Sequence, residues 1–332
     1  MTERLSAQDL ALLDCWQRDF PLVPRPFGTL AEALDLDEDL VIARTRGLKA
    51  RGLISRVGAV VRPNTAGAST LAALAVPPAR LEAVASRVNA EPGVNHNYER
   101  EHEINLWFVA TAPDRAALDA TLARISADTG LEVLDLPLER AYHIDLGFPL
   151  SGDRGAARPP NPERSCIEVG ENDRALLAAL EDGLPLVHRP YAAVAETLGR
   201  CESEVIEDLR RLIEGAVVSR FGYIVRHRRL GFRANAMAVW DLPDESVDRV
   251  AAGFAARPFV TLCYRRPRRL PRWPYNLFCM IHGRERAEVE RQIAELNTEA
   301  GTGSRPQAVL FSRRCFKQRG ARFSGRRREA AA

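Results

Sequence analysis

Gly52-Leu-Ile-Ser-Arg-Val-Gly-Ala-Val-Val-Arg62 returns downstream as Gly215-Ala-Val-Val-Ser-Arg-Phe-Gly-Tyr-Ile-Val-Arg226. Ahead of it, Phe20-Pro-Leu-Val-Pro-Arg-Pro26 returns as Leu184-Pro-Leu-Val-His-Arg-Pro190. Beyond it, Val94-Asn-His-Asn-Tyr-Glu-Arg100 aligns with Val260-Thr-Leu-Cys-Tyr-Arg-Arg266, and Asn105-Leu-Trp107 with Asn276-Leu-Phe278. The copies lie about 164 residues apart, with insertions stretching the last two pairs. A duplicated chain folds as two like halves and builds within one molecule the pair that other proteins assemble as a dimer. An intramolecular pseudo-dimer is expected, with further homo-oligomerisation left open.

Each half opens with an apolar helical stripe, Leu10, Leu12, Leu13 and Trp16 in the first and Leu176, Leu177 and Leu180 in the second. A short helix follows a proline stop at Arg25-Pro26. The next helix starts on the acidic turn Asp37-Glu-Asp39, which suits the positive end of a helix. Gly52–Arg56 and Ala59–Arg62 then read as the two strands of a wing, giving a winged helix-turn-helix. The rest of each half alternates strand and helix: Ser69–Val76, Pro78–Val88, Val94–Arg100, Ile104–Ala110, Asp114–Ala127, then Leu131–Asp135 with Ala141–Leu146. That βαββαβ order predicts a ferredoxin-like sandwich with helices on one sheet face and the other face open to a ligand or partner.

The fold class is therefore α+β, a tandem duplication of a winged helix-turn-helix plus a ferredoxin-like βαββαβ domain. The expected divisions are a winged helix at 1–65, a ferredoxin-like domain at 66–148, a proline-rich linker at 149–170, a second winged helix at 171–230 and a second ferredoxin-like domain at 231–325.

Hydrophobic content of 46% and charged content of 27% are those of an ordinary globular protein. No stretch reaches the roughly 20 apolar residues that span a bilayer, and the N-terminus lacks a signal-peptide core. Six scattered cysteines without a C-x-x-C pair read as reduced, buried thiols, and a cytoplasmic location with no membrane contact is expected. Net charge is only +3, but arginines cluster at 220–233, 265–272 and 313–328. Arginine pairs with carboxylate or phosphate through two parallel bonds, so an anionic partner is indicated. No H-E-x-x-H, clustered Cys/His ligands, G-x-G-x-x-G or Walker lysine is present, so no metal site is assigned.

Strand alternation puts Val94, His96, Tyr98 and Arg100 on one face and Asn95, Asn97 and Glu99 on the other. A proton donor, a phenol and a guanidinium in a row is either an exposed polar edge or a reactive surface. The corresponding face in the second half reads Val260, Leu262, Tyr264 and Arg266, so the histidine has become leucine.

A winged helix followed by βαββαβ resembles the Lrp/AsnC regulators. Two such halves with Arg-Pro-[Phe/Tyr], His96-Asn-Tyr-Glu-Arg100 and Trp273-Pro-Tyr-Asn-Leu-Phe-Cys-Met-Ile-His-Gly283 more specifically resemble the siroheme decarboxylases in their fused form, which belongs to haem d1 biosynthesis in denitrifying bacteria. The resemblance spans nearly the whole chain. It implies conversion of siroheme to didecarboxysiroheme, two acetates becoming methyls, with no added cofactor because any iron enters as part of the substrate. It also implies siroheme as partner, other haem d1 biosynthesis enzymes as candidate partners, and no nucleic acid.

With that resemblance, His96, Tyr98 and Arg100 are the expected catalytic residues, His96 supplying the proton for a new methyl. Arginines are expected to grip the carboxylates that do not react, since a guanidinium on the reacting one would hold it back. The expected substrate-binding set is Arg56, Arg62, Arg220 and Arg226 in the wings, with His143, His227, Tyr264, Arg266, Trp273, Tyr275 and Lys317. The wing arginines read equally as solvated remnants of a DNA-binding ancestor, and His227 as a surface histidine. His143 and Lys317 occupy matching places on the last strands, His102 reads as solvated, and His282 as a residue that caps or packs. One complete site in the first half, completed or mirrored by the second, is the favoured arrangement. The rival is a DNA-binding regulator of the Lrp/AsnC type. Against it, the helices that would read bases begin with acids, at Asp35–Asp39 and at Glu202 and Glu204, although Arg44, Arg46, Arg210 and Arg211 lie further along.

Overall fold

A computed structural model describes residues 5–144, 147, 150, 166–301 and 307–320. In chain order the first copy contains α1 (Ala7–Cys15), α2 (Pro26–Leu34), α3 (Glu38–Ala50), β1 (Ile54–Val61), β2 (Ala68–Leu74), α4 (Leu81–Ala90), β3 (Val94–Arg100), β4 (Leu106–Ala112), α5 (Arg115–Thr129), β5 (Leu134–Pro137) and β6 (Arg140–Ile144). The second contains α6 (Glu171–Ala179), α7 (Pro190–Leu198), α8 (Glu202–Glu214), β7 (Val218–Val225), β8 (Ala234–Trp240), α9 (Asp244–Ala255), β9 (Val260–Arg265), β10 (Leu277–Gly283), α10 (Arg286–Ala300) and β11 (Gln307–Gln318). Of the expected linker, only Leu150 and residues 166–170 fall among the described residues.

The compact units do not follow the halves. Among the described residues, one gathers 5–66, 147, 150 and 166–231, the other 67–144, 232–301 and 307–320.

In the first unit, Pro26 and Pro190 open α2 and α7 at the position where a missing N–H costs nothing. The helices close over an aromatic cluster in which Phe20 meets Phe27 at 5.5 Å and Tyr223 at 6.0 Å. Tyr223 Oη and Thr45 Oγ1 share a hydrogen bond of 2.8 Å across the two copies, and Tyr191 Oη donates to the Pro21 carbonyl at 2.8 Å.

The two-stranded wing expected within each copy does not form. β1 is a single strand and pairs antiparallel with β7 of the other copy, Gly58 opposite Gly222. Gly58 reads locally as a turn, but its φ is negative and its small size serves close approach: a Cβ there would lie 3.3 Å from the Gly183 backbone. The constraint at Gly222 is stronger. A Cβ would lie 2.3 Å from the Trp16 carbonyl oxygen and 2.7 Å from Gln17 backbone atoms. Gly222→Ala is expected to destabilise by about 1–3 kcal/mol, as overpacking does. Gly47→Ala, with nothing within 4 Å, is expected to be neutral or stabilising in α3. Thermal unfolding of the two variants tests this; equal midpoints contradict it.

The second unit is built on one nine-stranded sheet ordered β5-β2-β4-β3-β11-β8-β10-β9-β6. Each copy contributes a ferredoxin-like quartet, β5-β2-β4-β3 and β11-β8-β10-β9. The final strands differ from the expected closure of each unit on itself. β6 pairs with β9 of the second copy, and β11 pairs with β8 over its first part and with β3 over its last.

α4 and α5 cover one quartet through Val84, Val88, Phe108, Leu118 and Ile125, and α9 and α10 the other through Val250, Phe254, Ile281 and Leu296. The opposite faces, which the sequence suggests are open, are closed in part. Trp107, Met237, Trp273, Phe278, Met280 and Leu310 from both copies form one shared core there. Large aromatics bury too much apolar area to stay exposed when an equivalent face can cover them. Asn105 and Asn276 recur because each clamps a neighbouring chain segment: Asn105 bonds both polar backbone atoms of Val76, and Asn276 those of Leu242.

Candidate functional site

β3 carries the reactive row, with one change to the expected alternation. A bulge lies between Val94 and His96, so Val94 faces the helix-side core while His96 and Tyr98 oppose Val109 and Trp107 on the other side. A bulge bends a strand and re-aims its side chains, and here it aims the imidazole away from the helices. Asn97 is buried toward α4, its amide donating to the Ala85 carbonyl at 3.3 Å and to Asn89 Oδ1 at 3.0 Å.

The bulge residue Asn95 is buried and orients the ring. Its amide nitrogen donates to Thr111 Oγ1 at 3.4 Å, so its Oδ1 faces His96 Nδ1 at 2.9 Å. An amide oxygen only accepts, which places the hydrogen on Nδ1. The half-buried His96 ring lies nearly parallel to Tyr98, centroids 6.2 Å apart at 14°. The Arg100 guanidinium is 5.8 Å from the Tyr98 ring centroid. It donates from Nη1 to the Leu310 carbonyl at 3.1 Å and to Asn235 Oδ1 at 3.4 Å, and Met280 Sδ lies 3.8 Å from Nη2. Histidine, phenol and guanidinium thus form a graded row from half-buried to buried on a helix-free surface.

The second copy mirrors part of this. The Arg266 guanidinium sits 5.0 Å from the Tyr264 ring centroid and donates to the Leu136 carbonyl at 2.5 Å, as Arg100 donates to Leu310. Burial pushes the Arg266 pKa down to about 10 and raises that of the Tyr264 phenol. Leu262 packs against the shared core where the first copy has His96. Trp273 is fully buried in that core, 4.9 Å from both Trp107 and Tyr275, and Tyr275 is the more exposed of the pair.

The remaining singled-out residues take up the following places. Lys317 donates to the Asn89 and Glu91 carbonyls at 2.6 and 3.2 Å, completing the C-terminal end of α4 on the helix side. The expected match with His143 holds: Lys317 lies opposite Asn97 on β3, and His143, buried on β6, lies opposite Cys263, the equivalent place on β9. His102 is not simply solvated: its Nδ1 accepts from the Ile104 N–H at 3.0 Å, its ring meets Trp273 edge-on at 5.6 Å, and burial lowers its pKa. His282, read as a residue that caps or packs, packs: it is a buried member of a polar cluster with Asn235 and Thr261, partners its otherwise apolar strand did not indicate. Of the six cysteines, all free, only Cys263 and Cys279 are buried.

Arg56, Arg62, Arg220, Arg226 and His227 belong to the first unit. Burial lowers the pKa of Arg56, opposed by Asp182 and Glu181, and its Nη2 donates to the Ala59 carbonyl at 2.9 Å. Arg62 lines a cleft of about 630 Å³ with Thr65, Glu168 and Arg174, its Nη1 3.5 Å from Cys166 Sγ. Arg220 and His227 are buried, whereas Arg226 is exposed.

The four arginines along the two candidate DNA-reading helices have partners within the chain. Arg44 bonds Asp9 and Gln8, Arg46 the Leu186 carbonyl, Arg210 Glu207, and Arg211 Asp173. The acids Glu38 and Glu202 are held by Arg25 and Arg189 of the repeated Arg-Pro motif. Among the described residues no His, Cys, Asp or Glu cluster could hold a metal ion, and no helix is long and apolar enough to cross a membrane.

A profile for the AsnC-like ligand binding domain matches residues 66–143 and 229–317, and one for the siroheme decarboxylase NirDL-like HTH domain matches 9–54 and 173–218. The chain is 51% identical over 313 residues to the siroheme decarboxylase NirDL subunit of Paracoccus denitrificans, covering 94% of this chain and 96% of that one. It is 55% identical over 143 residues to the siroheme decarboxylase NirD subunit of Pseudomonas aeruginosa, covering 43% of this chain and 95% of that one. The crystal structure of the siroheme decarboxylase NirDL in co-complex with an iron-uroporphyrin III analogue matches with a TM-score of 0.69 at 28% identity, covering 95% of this chain and 94% of that one.

Proposed function

Because this chain belongs to the siroheme decarboxylase NirDL family, we propose that it is a carboxy-lyase removing two acetate carboxylates of siroheme as carbon dioxide to leave methyl groups. The observation that carries the catalytic part is the aimed imidazole of His96, fixed by Asn95 on the helix-free surface beside Tyr98 and Arg100.

Breaking the bond between methylene and carboxylate leaves an electron pair at the methylene, which the conjugated macrocycle delocalises. Protonated His96, with Nδ1 held by Asn95, delivers a proton from Nε2 to that carbon, and solvent then recharges the ring. Tyr98 offers a flat face beside the imidazole. Arg100 places a fixed positive charge under that face. A carboxylate about 6 Å away would gain roughly 3 kcal/mol at an effective dielectric constant of 20. The reacting acetate keeps clear of the guanidinium, since pairing would stabilise the carboxylate that must leave. Arg266 with Tyr264 offers a like charge in the second copy. No cofactor is added in this scheme, the iron belonging to the substrate.

Anaerobic incubation of the purified protein with siroheme, followed by mass measurement of the pigment, tests the activity. Loss of two carboxyl groups as carbon dioxide is expected; an unchanged pigment removes the proposal.

A further inference from the structure

We propose that His282 is a positioning residue that holds the Arg100 guanidinium in place through Asn235. The inference rests on the reading that Arg100 faces the substrate, and it adds to that reading a control from the second copy. Asn235, Thr261 and His282 lie on three adjacent strands, and all three belong to the second unit.

The bonds admit one direction. Arg100 Nη1 can only donate, so the Asn235 atom 3.4 Å away is its oxygen. The Asn235 nitrogen then faces His282 Nε2 at 2.6 Å. An amide nitrogen donates and does not accept, so His282 Nε2 must be the bare ring nitrogen. The hydrogen therefore sits on Nδ1, which faces Thr261 Oγ1 at 2.8 Å. That hydroxyl passes its own hydrogen to the Met280 carbonyl at 3.0 Å. Each assignment forces the next, and the series ends on a backbone group that cannot turn. Asn235 and His282 are 4% and 7% exposed, so water does not readily replace a missing member.

The same positions do different work in the first copy. Thr261 is the bulge residue of β9, as Asn95 is of β3. Each bulge residue bonds an imidazole: Asn95 that of His96 on its own strand, Thr261 that of His282 on the neighbouring one. The second copy has thus exchanged a surface imidazole at Leu262 for a buried one at His282, whose bonds lead back to the Arg100 of the first copy.

Two readouts test the relay. In the first, ring-nitrogen NMR shifts of His282 in the whole protein, without siroheme, are expected to show a neutral Nδ1–H ring. The Nε2 signal is expected to move in Arg100→Met, which frees the Asn235 amide to turn. A ring with hydrogen on Nε2, or an unmoved signal, overturns the relay whether or not the functional reading stands. In the second, siroheme binding is expected to weaken about three- to tenfold in His282→Ala, the range of one buried hydrogen bond. His282→Gln, which keeps an acceptor for Asn235, is expected to restore it to within about twofold. In an Arg100→Met background, His282→Ala is expected to cost under about twofold. An equal cost in both backgrounds, or no rescue by glutamine, rejects the proposal. Siroheme affinity unchanged by Arg100→Met alone instead rejects the role given to Arg100.

Discussion

His96→Ala is expected to slow carbon dioxide loss from siroheme by about 10²–10⁴-fold, the usual contribution of a placed general acid. Siroheme affinity is expected to stay within about threefold of the parent, because one half-buried imidazole is a small part of a surface that meets a large ring. The split follows from the geometry. Asn95 holds Nδ1 at 2.9 Å, so the ring's task lies at Nε2, and the carbon receiving the proton acquires its electron pair only as the bond to carbon dioxide breaks. An interaction made only in the transition state lowers turnover and leaves binding nearly intact. Asn95→Ala is expected to reproduce a milder form of the same loss by freeing the ring. Single-turnover rates beside equilibrium titration with siroheme separate the two quantities. A parent-like rate in His96→Ala would show that another group delivers the proton.

Arg100→Met is expected to act the other way, weakening siroheme binding by about 10- to 100-fold, the range for a charged hydrogen-bonding group at about 1.5–3 kcal/mol. Arg100 is buried and donates to the Leu310 carbonyl and to Asn235 Oδ1, with Met280 Sδ beside it. This bonding makes the residue part of the link between the copies, so the variant's unfolding must be measured beside its affinity. Arg100→Lys serves as the control, keeping the charge while losing the forked geometry, and is expected to fall between methionine and the parent. Affinity lost to the same degree in lysine and methionine variants would assign Arg100 to the fold alone.

Much of the architecture was written in the repeated segments. The Gly52–Arg62 and Gly215–Arg226 copies located corresponding strands, and the Arg-Pro pairs located the start of α2 and α7. What local pattern did not carry was the choice of strand partner. Gly58 looks like a turn, yet it is a point of close approach between β1 and β7, because glycine serves either need and only the other copy distinguishes them. β6 and β11 likewise pair across the copies, a long-range outcome that no window of sequence encodes.

The reactive row was legible for a different reason. His96, Tyr98 and Arg100 stand out on a strand by composition, and two-residue alternation held for them. It failed at Val94 because one extra residue, Asn95, reverses the face. The roles of Asn95 and His282 were not legible because they depend on neighbours across the sheet: Thr111 for one, Asn235 and Thr261 for the other.

The most direct measurement of the central claim is chemical rescue. His96→Ala leaves a space on the helix-free surface, and single-turnover decarboxylation of siroheme by this variant is followed anaerobically with and without free imidazole. The account predicts a slow reaction that accelerates with imidazole concentration and saturates, with binding of the pigment unchanged. A variant whose rate matches the parent without imidazole, or stays slow and indifferent to it while siroheme is fully bound, would contradict proton delivery by His96.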